Sequence, residues 1–98
     1  MEELIDAWFF FSNNAQVLVC LAENPELTTR EIASHLGITE RAVQRIVARL
    51  EKVGVISISK MGRRNHYEVN LEKRLRHPLN DETSIGEMLR LLGLDKRG

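Results

Sequence analysis

The apolar positions of the chain follow a helical period three times and then change rhythm. From Asn14 to Glu23 the residues Val17, Leu18, Cys20, Leu21 and Ala22 form one apolar run of helix. Ser12 or Asn13 can cap its start. Asn24-Pro25 ends it, because the residue before a proline is pushed out of the helical region. Thr28 opens a second helix as N-cap, and Glu31 three residues on completes a capping box. Ile32, Ala33 and Leu36 fall on one side, and Gly37 supplies the left-handed stop. Thr39 is the next N-cap. Val43, Ile46, Val47, Leu50 and Val53 then repeat at helical spacing until Gly54 closes the run. Val55–Lys60 alternates apolar and polar, Met61–Asn65 is a glycine-containing turn, and His66–Asn70 alternates again, which predicts a β-hairpin.

The chain ends are apolar too. Leu4–Phe11 predicts a short helix that includes the aromatic run Trp8, Phe9, Phe10 and Phe11. Four such residues in a row cannot all face one small core. They pack on a second chain or wrap the outside of this domain's own core, and both readings stay open. Leu71–Pro78 reads as a basic connecting arm and Asn80–Thr83 as a polar loop. Ser84 and Glu87 form another capping box, followed by Ile85, Met88, Leu89, Leu91 and Leu92 up to Gly93. That helix serves a partner or the domain's own core. The resulting class is mainly α with a small β-hairpin.

Thr28–Gly54 places two helices too close in sequence to be anything but a corner, a helix-turn-helix. One side of the second helix is Val43, Ile46, Leu50 and Val53. The other carries Arg41, Gln44, Arg45, Ala48, Arg49 and Lys52. Arg matches guanine and Gln matches adenine in a DNA major groove. The first half of such a helix usually meets the bases, which selects Glu40, Arg41, Gln44 and Arg45. Arg63 and Arg64 sit at the hairpin tip, where they can reach phosphates or the minor groove beside the helix.

Composition adds one objection and one answer. The 98 residues carry 14 Lys and Arg against 14 Asp and Glu, for a formal net charge of zero. Nucleic-acid-binding domains are often strongly basic. The charge is unevenly spread, however. Residues 1–27 hold five acids and no Lys or Arg, while residues 28–78 hold eleven Lys and Arg against five acids. The positive field is therefore concentrated on the helix-turn-helix and the hairpin.

Catalytic and metal chemistry find little support. His35, His66 and His77 form no close-spaced ligand set with each other or with Cys20. No phosphate-cradling glycine loop and no nucleophile signature are present. No enzyme activity, metal or cofactor is expected. Cys20 reads as a buried, inert thiol, and a single cysteine fits a reducing compartment. Ala7–Phe11 is too short for a signal segment or membrane span, so a cytoplasmic protein without membrane contact is expected.

Leu27–Ile56 (LTTREIASHLGITERAVQRIVARLEKVGVI) followed by Gly62–Asn70 (GRRNHYEVN) resembles the winged helix-turn-helix transcriptional regulators of bacteria and archaea, of the MarR and ArsR type. The resemblance spans roughly residues 14–70. It implies a single domain over residues 1–98, with a three-helix core plus wing at 12–70 and short flanking helices at 2–11 and 84–93. It makes Thr39–Val53 the recognition helix and Met61–Asn65 the wing tip. It also implies homodimers on pseudo-palindromic double-stranded DNA. The close-spaced cysteines of metal-sensing ArsR-type members are missing here, and the terminal helices are shorter than in MarR-type members. No small-molecule effector is identified.

On this reading Glu40, Arg41, Gln44 and Arg45 contact bases. Thr28, Thr39, Arg49, Lys52, Lys60, Arg63, Arg64 and Asn65 contact the DNA backbone. Trp8, Phe9, Phe10, Phe11, Ile85, Met88, Leu89 and Leu92 form the dimer interface. The rival is a winged-helix protein-interaction module in a larger assembly with no DNA role, working through the apolar segments at its two ends.

Overall fold

Short-range capping decides where each helix of this protein begins. The computed structural model describes residues 11–75 and 83–93. Helix α1 (Asn13–Glu23) starts where the Ser12 hydroxyl accepts from the Ala15 amide, and Asn24 leaves it in extended conformation ahead of Pro25. Helix α2 (Thr29–Leu36) starts on the full capping box. The Thr28 hydroxyl accepts from the Glu31 amide at 3.1 Å, and the Thr28 amide donates to Glu31 Oε1 at 2.9 Å. Gly37, at φ +69°, turns the chain, and helix α3 (Glu40–Lys52) begins two residues later on the Thr39 cap.

The third helix stops slightly earlier than its apolar period implies. Val53 is its cap and is 50% exposed, so it does not belong to the buried stripe. Gly54, at φ +83°, lies just beyond. Its amide donates to Glu51 and that of Val55 to Leu50, the paired bonds of a Schellman ending.

Helices α1, α2 and α3 enclose Val17, Leu21, Ile32 and Val43, all fully buried. Cys20, Val47, Leu50, Ile56 and Tyr67 extend this core, while Leu36, Ile46 and Ile58 pack around it half-buried. Burial, and secondarily the Glu23 charge, push the Cys20 thiol pKa up, as suits an inert core residue.

Strands β1 (Ile56–Met61) and β2 (Arg64–Val69) pair antiparallel from Ile56↔Val69 to Met61↔Arg64. The expected five-residue turn contracts to Gly62-Arg63. Gly62 has positive φ and Arg63 does not, as in a type II′ hairpin turn whose twist suits the strands. Met61, Arg64 and Asn65 thereby join the ladder.

The other side of β2 is fastened to the loop between α1 and α2. The Tyr67 amide donates to the Pro25 carbonyl at 2.9 Å, and Arg64 Nη1 donates to the Glu26 carbonyl at 2.9 Å. His66 Nδ1 lies 3.7 Å from Glu26 Oε2. One dipeptide thus fixes how the wing sits against the helices.

Helix α4 (Ile85–Leu91) corrects an expectation. Ile85 and Leu89, assigned above to a dimer interface, are buried within this chain's own core. The backbone explains why. The Ile85 amide donates to Lys73, that of Gly86 to Leu71 and that of Leu75 to Thr83. A Cβ on Gly86 would stand 3.0 Å from the Leu71 carbonyl oxygen, so glycine permits this close approach. Met88 is half-buried against the core, leaving Leu91 (86% exposed) and Leu92 as the outward apolar residues. Phe11 is half-buried, and its carbonyl accepts from Gln16 Nε2 at 2.8 Å. Trp8, Phe9 and Phe10, the proposed helix at 2–11 apart from Phe11, and most of the loop 80–83 lie outside the described residues.

Hydrogen bonds from the Thr28 amide and then its hydroxyl hold the Glu31 carboxyl below its ordinary pKa, and Ser84 does the same for Glu87. A carboxyl lowered on folding stabilises the fold above its unfolded pKa and loses that contribution as pH falls through the folded one. Glu31→Gln should therefore flatten the acid limb of a thermal-stability-versus-pH curve. An unchanged limb would show that the box carries no linkage.

Candidate nucleic-acid interface

The burial of α3 fixes which way its polar side faces. Val43, Val47 and Leu50 point inward. At about 100° per residue, Arg41, Arg45 and Lys52 lie opposite them, with Ala48 and then Gln44 to one side and Arg49 to the other. All six are exposed. The outward stripe contains four cations and no carboxylate. Glu51 lies at its border beside Gln44, and Glu40 lies nearer the inward residues.

Glu40 has a structural duty that its sequence position did not reveal. Thr29 Oγ1 donates to Glu40 Oε2 at 2.9 Å, joining the start of α2 to the start of α3. One carboxylate oxygen of Glu40 is thereby engaged within the helix-turn-helix. Thr39 accepts from the Ala42 amide at 3.0 Å, and the Thr28 hydroxyl serves the capping box. Both threonines place helix starts at the surface, where free amides and the helix dipole favour anions.

Beside this helix pair the wing leaves a cleft of about 160 Å³. Its walls are Glu26, Leu27, Thr28, Thr29, Lys60, Arg63, Arg64, Asn65 and Tyr67. Five of the eight residues expected at the DNA backbone thus meet in one place: Thr28, Lys60, Arg63, Arg64 and Asn65. Thr39, Arg49 and Lys52 stand apart on α3. Lys60 and Arg63 are exposed at the wing tip, whereas Arg64 is held by the Glu26 carbonyl and Asn65 Nδ2 donates to the Tyr67 hydroxyl at 3.3 Å. The last two brace the wing as well as lining the cleft.

Sequence reasoning missed Thr29, Glu26 and His66. Thr29 beside a capping threonine was a visible signal. The wing's attachment to Glu26 had none, because its partners lie 38 residues apart.

Three helices, a tight turn before the third and a basic two-stranded wing define a winged helix-turn-helix protein. Residues 14–57 match the family model described as winged helix-turn-helix DNA-binding, so this stretch is similar to DNA-binding domains of that kind. Among solved structures, reduced HlyU from Vibrio cholerae N16961 has a similar fold, with a TM-score of 0.57 at 20% identity. The alignment covers 92% of this chain and 83% of that one. No curated protein matches the chain. Among the described residues, no helix is long and apolar enough to cross a membrane.

Proposed function

We propose that this protein is a cytoplasmic, sequence-specific regulator of transcription that places α3 in the major groove of duplex DNA. The observation that carries the reading is the outward stripe of α3. It combines base-matching side chains (Arg41, Gln44 and Arg45) with an absence of carboxylates, next to a wing whose Lys60 and Arg63 are exposed. Arg41, Gln44 and Arg45 read base edges. Arg49, Lys52, Lys60, Arg63 and Arg64 neutralise phosphates, and the wing lies over the backbone or the adjacent minor groove.

One recognition helix covers only a few base pairs, which gives too small a specificity ratio in a genome. Two copies about 34–36 Å apart supply the rest, so the regulator acts as a homodimer. Leu91 and Leu92 are the apolar residues that α4 leaves exposed for such a contact. Sedimentation of the full chain at micromolar concentration tests this, and a monomer would overturn it.

Selection from a random duplex pool tests sequence specificity. Enrichment of a two-fold-related site is the expected result, and recovery of an unenriched pool would overturn the reading. The salt dependence of binding tests the wing. Lys60→Ala should reduce the slope of log affinity against log salt by about 0.9 per bound chain, equally on specific and random duplexes. Lys60 is a cleaner probe than Arg64, whose loss would also release the wing from Glu26. A wild-type slope in the variant would remove Lys60 from the backbone contacts.

A further inference from the structure

The outward stripe of α3 has one gap in its polar cover. Ala48 is exposed within the stripe, and its helical neighbours there, Gln44, Arg45 and Lys52, are all longer, polar and exposed, with Glu51 at the stripe's border. The face presented to a ligand is therefore a notch floored by one methyl group and walled by long side chains. We infer that Ala48 is a specificity-determining residue that accepts the C5-methyl group of a thymine.

The inference rests on α3 lying in the major groove, as proposed above. In that groove thymine is the one standard base whose edge carries a methyl group, and alanine is a side chain suited to contact it. A longer side chain at position 48 would fill the notch and meet the methyl before it could seat. Geometry also limits where the thymine lies. Ala48 is four residues beyond Gln44, about 6 Å along the helix axis. With base pairs spaced at about 3.4 Å, a helix following the groove sets the thymine within about two steps of the pair read by Gln44. Gln44 and Ala48 together would then favour an A/T-containing element at this end of the half-site.

Alanine is also the best helix former, so helix propensity alone could account for its presence. The methyl group separates the two explanations. The full chain is used with the duplex recovered by selection, and each thymine is replaced singly by deoxyuridine, which lacks only the C5-methyl. Wild-type protein should lose about fourfold in affinity at one thymine of each half-site, the effect of one buried methyl-sized group. In Ala48→Ser, which keeps a Cβ but places a hydroxyl in the notch, the penalty should largely disappear. Ala48→Gly should behave likewise, read as the ratio of the two duplexes so that helix weakening cancels. A selected site without thymine, indifference to uracil at every position, or a penalty that persists in both variants would overturn the assignment. If selection enriches no sequence at all, the DNA-reading proposal itself fails, an outcome distinct from a selected site that ignores uracil.

Discussion

Leu89→Ala should lower the free energy of unfolding by about 2–5 kcal/mol, as removal of a buried leucine side chain does. Leu89 is 3% exposed and lies with Ile85 on the inner side of α4. Leu91→Ala, on the same helix but 86% exposed, should change stability by less than about 0.5 kcal/mol. Urea denaturation of the two variants provides the comparison. Equal and small effects would detach α4 from the core. The expected contrast also changes how a truncation is read. Removing residues 84–98 takes away two buried core side chains along with any dimer contact, so it would destabilise the domain instead of cleanly yielding folded monomers.

Arg45→Ala should cost about 1–3 kcal/mol at the selected site and relax preference at one base position. Arg45 is exposed on the outward stripe, in the first half of α3. Affinities for the selected duplex, its single-base variants and random duplex separate the possible roles. A loss of the same size on random DNA would make Arg45 a phosphate contact. A loss confined to the selected duplex assigns it to a base edge.

Local signals carried most of the architecture. Both capping boxes, Thr28 with Glu31 and Ser84 with Glu87, span three residues, so the amino-acid order alone discloses them. The left-handed stops at Gly37 and Gly54 and the alternation of the hairpin are equally local. The orientation of α3 was also legible, because a helix with one apolar side must turn the opposite side outward. Three-dimensional assignments were less accessible. Hydrophobicity says that Ile85 and Leu89 seek burial but not against which surface, and the backbone bonds that commit them to this chain join α4 to residues 71–75. Arg64 looked like a free wing-tip cation because nothing near it in sequence points to the Glu26 carbonyl. The bond between Thr29 and Glu40 was hidden for the same reason, since the two meet only after the turn has folded.

The fastening of β2 to Pro25 also bears on self-association through strand pairing. A lone two-stranded sheet offers two open edges, each a template for strands from other copies. Here the Pro25 carbonyl takes the Tyr67 amide on the β2 side, and a proline has no amide of its own with which to extend a ladder. Among the described residues, no strand pairs with the remaining edge, on β1. That edge carries exposed Ser57, Ser59 and Lys60, polar and charged groups of the kind that discourage edge-to-edge growth. The protein can therefore project a hairpin far enough to meet a partner without offering the nucleus of a fibre.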